Sequence, residues 1–274
     1  MKAADVSGLL NPDASPQWLR PLVDNVGSVP AAFRRRLPAD VLAMVTAANA
    51  HAKITGAGRD AAVLVLFSGP AEADSIGDVL DDVDLLLTVR ASTLRHHAGQ
   101  AAFPGGATDP GDAGPVHTAL REAQEETGID ATRVRTLATL DKTFIGPSGF
   151  HVVPVLAYSP DPGPVAVVDE TETAAVTRVP LRAFINPENR LMVYRRTFSR
   201  RFAGPAFLLN EMLVWGFTGQ VISAMLDVAE WARPWDSDTM LELDDAMALV
   251  GSGGLRSESG MGFGASNGYG EAQS

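Results

Sequence analysis

A run of seven apolar residues at 61–67, AAVLVLF, bounded by Gly58 and Gly69, places the tightest constraint on this chain's fold. It is too short to cross a membrane, and its glycine flanks cut off any longer helical pattern. It therefore reads as a strand buried inside a sheet. A second apolar run, DLLLTV at 84–89, repeats the pattern, and residues 69–82 join the two. Further strands are expected at 100–103, 134–140, 151–158 and 173–179, and a hairpin from 192–197 and 206–209. Helical spacing is found at 38–50, 116–127 and 214–232, with a short helical turn at 180–184. Gly128 is placed to close the middle helix. Strands before and after one central helix, followed by a late helix, predict an α/β fold: a sandwich around a mixed sheet, in one domain.

Three segments are expected. Residues 1–37 read as an N-terminal helical extension, with Ser15 as cap and Pro16 at the first helical position. Its basic cluster at 33–36, FRRR, reads as a solvated face or linker. Residues 38–236 form the main domain. Residues 237–274 read as a flexible tail, since from Ser252 onward the chain is Gly-, Ser- and Asn-rich.

Charge narrows the function. With 22 basic and 33 acidic residues the formal net charge is −11, which speaks against nucleic-acid binding, because a phosphate backbone needs a basic face. An anionic small molecule remains compatible where the local site is basic or metal-loaded. The chain has no cysteine, which excludes disulfides and thiolate metal sites and fits a reducing compartment. The first residues hold no apolar core of signal-peptide length, and no run approaches the ~18 apolar residues of a membrane span. A cytoplasmic protein with no membrane partner is the expectation.

The chemistry concentrates at 121–129, REAQEETGI. On a helix, Glu122, Glu125 and Glu126 stand at i, i+3 and i+4 and point to one side. Like charges stacked in this way repel, yet hard divalent cations need several carboxylate oxygens converging at roughly 2.0–2.6 Å. Ala119, Leu120, Ala123 and Thr127 are left to face the sheet. Taken alone, the string favours an acidic solvent face with Arg121 as local partner. A preceding Phe-Pro-Gly-Gly loop and an immediate Thr-Gly stop are more than such a face needs.

With Arg121, Glu122, Ala123, Glu125, Glu126, Gly128 and Ile129 in place, the segment resembles the second half of the Nudix box. In the first half the loop from Gly106 to Arg121 is one residue longer than the general pattern. Gly106 then takes the Gly role, and Asp112 falls where the box has a Glu. The coenzyme A pyrophosphatase branch of that superfamily has such a longer loop and an upstream signature. Here it reads Leu86-Leu87-Thr88-Val89-Arg90-Ala91, then Arg95, Gly99 and Phe103-Pro104-Gly105-Gly106, every spacing kept. Looser likenesses at 179–181, 189–190 and 215–218 extend the resemblance across roughly residues 60 to 230.

The resemblance implies a Nudix-type α/β/α sandwich and metal-dependent cleavage of a phosphoanhydride: coenzyme A and water giving 3′,5′-ADP and 4′-phosphopantetheine. It implies Mg²⁺ or Mn²⁺ on Glu122, Glu125, Glu126 and Asp112. Arg90, Arg95, Gly105 and Gly106 would meet the substrate, and Arg121 and Gly128 would be structural. Glu125 and Glu126 are candidate catalytic groups through the metal. Glu172, in the acidic stretch 169–172, is the candidate base, since some members take a base from outside the box. His96, His97, His117 and His151 are read as loop or structural histidines. Family members often pair as homodimers. Two other readings stay open: cleavage of another nucleoside diphosphate derivative such as NADH or ADP-ribose, and a nucleotide-binding module without turnover.

Overall fold

A computed structural model describes residues 8–37, 39–55, 58–90, 100–146, 148–197 and 200–250. The N-terminal part holds α1 (Arg20–Asp24), α2 (Val29–Arg35) and α3 (Ala39–Thr55). Then come β1 (Arg59–Ser68), α4 (Ile76–Val79), β2 (Asp84–Arg90), β3 (Ala101–Ala102), β4 (Gly105–Ala107) and α5 (Pro115–Thr127). The middle carries β5 (Arg135–Thr139), β6 (Thr143–Ile145), β7 (Phe150–Ser159), β8 (Thr173–Pro180) and α6 (Leu181–Ile185). The last part holds β9 (Arg190–Thr197), β10 (Arg200–Leu209), β11 (Met212–Val214), α7 (Gly216–Val228), β12 (Met240–Glu242) and α8 (Leu243–Ala248).

The main sheet is mixed. Its path runs β3-β2-β1-β7-β5, with β4 on β1, β6 on β7 and β8 on β2. β1 and β7 are parallel over their full lengths, from Arg59 opposite Phe150 to Ser68 opposite Ser159. The other edge of β1 is shared between β2 at Phe67–Ser68 and β4 at Ala61–Val63.

Side-chain alternation explains why β1 is apolar throughout. Ala62, Leu64 and Leu66 join Leu86, Val155 and Ala157 on one face, where α5 lays Ala119 and Ala123 across them. Val65 and Phe67 join Leu85, Leu87, Leu156 and Tyr158 on the other, beneath α1, α2 and α7. Neither face of the strand meets water, so its sequence shows no polar alternation. The result is a three-layer α/β/α arrangement, as the sequence predicts.

A second sheet, β11-β10-β9-β12, has its own small core of Leu191, Val193, Ala206, Leu208, Leu213, Leu243 and Ala246. The expected hairpin is its centre, β9 against β10. The expected start of the tail at 237 precedes ordered chain. β12 pairs in parallel with β9, and α8 buries Leu243 and Ala246. The stretch from Ser252 lies outside the described residues.

The N-terminal part also differs from expectation. Residues 8–37 give Trp18, Leu19, Leu22, Val23, Val26, Val29 and Ala32 to the main core. The Trp18 indole donates to the Pro70 carbonyl at 2.8 Å and stands edge-on to Phe67 and Tyr158. Pro16 is extended rather than helical, and Ser15 donates to the Pro16 carbonyl instead of capping a helix. A 3₁₀ turn at Gln17–Leu19 intervenes before α1.

Candidate active site

Helix α5 starts without a side-chain cap, at Gly114, and uses Pro115 in its first turn. Gly128 closes it in the left-handed conformation, φ 68°, donating to the Gln124 carbonyl at 2.9 Å. Thr127 is buried and donates its hydroxyl to the Ala123 carbonyl at 2.6 Å. With Ala119 and Ala123 locked onto the sheet, the acidic side of the helix turns toward β4 and the end of β2.

The three box glutamates are not equivalent. Glu126 reaches under β4, where its Oε2 accepts the Gly105 N–H at 3.1 Å. Burial outweighs that bond and the nearby Arg90 charge and pushes its carboxyl up to about 7; Glu122 and Glu172 push the same way. Glu122 lies against Gly106, where any Cβ would collide with its carboxylate. Burial raises its carboxyl as well. Glu125 leans outward, with 60% of its side chain exposed.

Arg121 ties this face together. Its Nε and NH2 grip both oxygens of Asp112 at 3.0 and 2.9 Å, and NH2 also donates to the Ala107 carbonyl at 3.0 Å. Its NH1 donates to Glu122 Oε1 at 3.0 Å and Glu125 Oε2 at 2.9 Å. The side chain of Asp112 is 1% exposed, and it also accepts from the Asp109 N–H, the Thr118 hydroxyl and His117. The Arg121 guanidinium, with these further donors, holds the Asp112 carboxyl well below the usual carboxylate range.

In this structure the Asp112 oxygens are taken by donors, and the residue anchors Arg121. A hint was present in the sequence, since an Arg followed by three Glu residues needs an acidic partner of its own to be held in one rotamer. Gly105 and Gly106 form a strand on β1, and at Gly105 a Cβ would lie 2.5 Å from Val63 Cα. Sequence reasoning missed that the Gly105 N–H is a partner of Glu126.

Arg90 ends β2 at a bulge and pairs with Thr173, the residue after Glu172. Arg90 and Glu172 thereby come to the Glu126 side of the helix, and both act electrostatically on that carboxyl. Glu172 is exposed, in a turn whose Asp169 carboxylate accepts from the Thr171 N–H and hydroxyl. Arg95, His96 and His97 lie outside the described residues. His117 is the Asp112 partner, and His151 stacks on Phe144.

Among the described residues no three His, Asp or Glu groups already form a ligand cage, because Arg121 holds one oxygen each of Glu122 and Glu125. The donor chemistry nevertheless fits a hard divalent ion. Glu126 is a half-buried carboxylate that accepts the Gly105 backbone N–H, with two further carboxylates adding like charge. A dication is the counter-charge that such a cluster accepts. Among the described residues no helix is long and apolar enough to cross a membrane.

A family model described as the NUDIX domain matches residues 71–202. Among solved structures, the Nudix hydrolase RenU from M. smegmatis is 24% identical with a TM-score of 0.36, over 45% of this chain and 71% of that one. A Yersinia pestis (strain Pestoides F) protein, described as the uncharacterized Nudix hydrolase NudL, is 38% identical over 140 residues, 50% of this chain and 68% of its own length. The corresponding protein of Yersinia pseudotuberculosis serotype O:1b matches to the same extent. Identity of that size across two thirds of a relative shows that this chain belongs to the Nudix hydrolase family.

Proposed function

We propose that the protein hydrolyses the diphosphate of coenzyme A or a coenzyme A derivative, releasing 3′,5′-ADP and the 4′-phosphopantetheine portion. The observation that carries the reading is the run from Leu86 to Gly106, with Arg90, Arg95, Gly99 and Phe103-Pro104-Gly105-Gly106 at the spacings of the coenzyme A branch. The placement of its two ends supports it. Arg90 and Gly105 lie on two different strands beside the same half-buried glutamate.

Glu122, Glu125 and Glu126 are the proposed ligands of Mg²⁺ or Mn²⁺. When bound, such an ion neutralises the phosphoryl oxygens and lowers the pKa of a bound water. The chain's own groups do the rest. Arg90 and Arg95 hold the diphosphate by bidentate contacts. Gly106 leaves room for the Glu122 carboxylate, and the Gly105 N–H fixes Glu126. Glu172 is the proposed base: it takes the proton of the attacking water as the water oxygen bonds to one phosphorus and the bridging P–O bond breaks. Asp112 contributes by holding Arg121 rather than by meeting the ion.

The test is incubation of the purified chain with coenzyme A and Mg²⁺ or Mn²⁺, with NADH, ADP-ribose and nucleoside triphosphates in parallel. The expected result is EDTA-sensitive release of 3′,5′-ADP, with coenzyme A or a derivative giving the highest kcat/KM. Absence of product from every coenzyme A form, from neutral to alkaline pH, overturns the substrate assignment. Glu126→Gln is expected to lower turnover by at least about 10²-fold.

A further inference from the structure

The molecule carries a second charged cluster that this chemistry does not use. It lies where the end of α2, α7 and the start of β9 meet, whereas α5 packs on β1, β4 and β7. Arg190 is 4% exposed, buried against Phe207 on one side and Trp235 on another, with its guanidinium 5.5 and 4.6 Å from the two ring centroids. Its NH2 donates to the Ser223 hydroxyl at 2.9 Å, and Ser223 is itself fully buried. Its Nε and Nη1 have no hydrogen-bond partner among the described residues and no contact with solvent.

The neighbouring charges do not balance. Arg36 takes both oxygens of Asp227, at 2.7 to 2.9 Å, and also lies over the Trp235 ring at 5.4 Å. Two guanidiniums thus share one carboxylate that Arg36 already saturates. Burial and the Arg36 charge together lower the Arg190 pKa to about 10, so at neutral pH the group is still charged. A buried charged donor is nearly always paired, because the water it gave up must be replaced. Aromatic faces ease this cost but leave the N–H edge open. Two free guanidinium donors on different edges, a hydroxyl beside them and a second guanidinium nearby leave the cluster short of oxygen acceptors, which a tetrahedral oxyanion supplies.

We propose that Arg190, Ser223 and Arg36 form a closed site for a phosphate-type oxyanion beneath the Trp235 indole. Trp235 is the cover. It belongs to the stretch between α7 and β12 that has neither helix nor strand, and that stretch begins at Glu230, a non-glycine residue at φ 59°. Opening this segment exposes the Arg190 edge, and closing it stacks the indole back over the bound ion's partners.

The test uses the full chain in EDTA at constant ionic strength, titrated with inorganic phosphate while the melting temperature and tryptophan emission are followed. The expected result is a saturable rise in Tm that is complete by about 10 mM phosphate. Arg190→Gln removes it and Arg190→Lys weakens apparent binding at least about 10-fold, because a compact ammonium cannot place donors where Nε and Nη1 stand. Trp235→Phe keeps the Tm rise but loses the emission change. Should Arg190→Gln fail to fold, Ser223→Ala and Trp235→Phe carry the test, with Ser223→Ala weakening the phosphate effect. A parallel titration with AMP distinguishes the sources. A response to inorganic phosphate alone assigns a free ion, and an equal Arg190-dependent response to AMP assigns a phosphate monoester. No saturable response, or one unchanged in the Arg190 and Ser223 variants, overturns the site and leaves ordered water as the partner of those donors.

Discussion

The Gly105 N–H donates to Glu126 Oε2 at 3.1 Å, linking a three-residue strand to the last turn of the acidic helix. This one bond sets the register of the cluster. β4 is fixed on β1, so the donor cannot drift, and Glu126 is drawn inward while Glu125, one residue earlier, stays in solvent. Glu122, one turn back, then meets the bare Cα of Gly106. Alternating exposure along a helix of like charges is thus imposed by the strand beside it.

Glu126 makes the metal-free protein pH-sensitive. Its carboxyl titrates near 7 in the folded chain against about 4.5 for an ordinary Glu, so the folded state keeps its proton longer than the unfolded one. The resulting stability is present below about pH 4.5 and is lost as pH rises through 7. The loss is on the order of 3 kcal/mol, given the rise from about 4.5 to about 7 at 1.36 kcal/mol per pKa unit. Urea unfolding in EDTA at pH 5 and pH 8 measures it. Glu126→Gln is expected to flatten the difference; an equal difference in the variant would refute the assignment.

Gly106→Ala separates the site from the fold. The added methyl meets the Glu122 carboxylate, the end of a flexible side chain, so the carboxylate moves and the backbone stays. Turnover is expected to fall at least about 10-fold while stability changes by less than about 1.5 kcal/mol. Gly105→Ala is the contrast, because its methyl meets the backbone of Ala62 and Val63. It is expected to cost about 1–3 kcal/mol as well as activity. Denaturant unfolding and initial rates on the same preparations decide between the two.

Much of this was readable in the chain. AAVLVLF announced a strand covered on both sides, and REAQEETG announced both the helix and its stop at Gly128. The short strands β4, β6, β11 and β12 were not readable. Three residues carry no period, and their identity comes from the partner they pair with. The setting of Asp112 was hidden for the same reason in side-chain form. Nothing in the spacing says that its oxygens point at Arg121, Thr118 and the Asp109 N–H rather than at the site. The value of Trp18 was hidden as well, since its partners Pro70, Tyr158 and Trp231 are distant in sequence.

Asp112→Asn should loosen Arg121 without touching the glutamates directly. The carboxylate that grips two guanidinium nitrogens becomes an amide with one acceptor, and Arg121 is then free to pair more closely with Glu122 and Glu125. Turnover is expected to fall about 10- to 100-fold, as for other groups that orient ligands. The lowered Asp112 pKa adds a pH sign. Its stabilisation is present above the ordinary carboxylate pKa and is lost as pH falls below it toward the lowered folded value. Acid unfolding should therefore begin at higher pH in the variant. Unchanged kinetics together with an unchanged acid midpoint would remove Asp112 from the site.

The N-terminal segment is expected to be indispensable for folding. Trp18 is 1% exposed, donates to Pro70 at 2.8 Å and packs on Phe67, Tyr158 and Trp231. Leu19, Leu22 and Val23 are fully buried in the same core. Trp18→Ala removes a large buried ring and leaves the Pro70 carbonyl without its donor, which costs about 3–5 kcal/mol. That is a large part of the 5–15 kcal/mol typical of a domain. Deleting residues 1–37 goes further and strips α1 and α2 from the face of β1 and β7 that they share with α7, so the shortened chain should show no cooperative thermal transition. A truncated chain that melts cooperatively within a few degrees of the full chain would instead make residues 8–37 a detachable appendage.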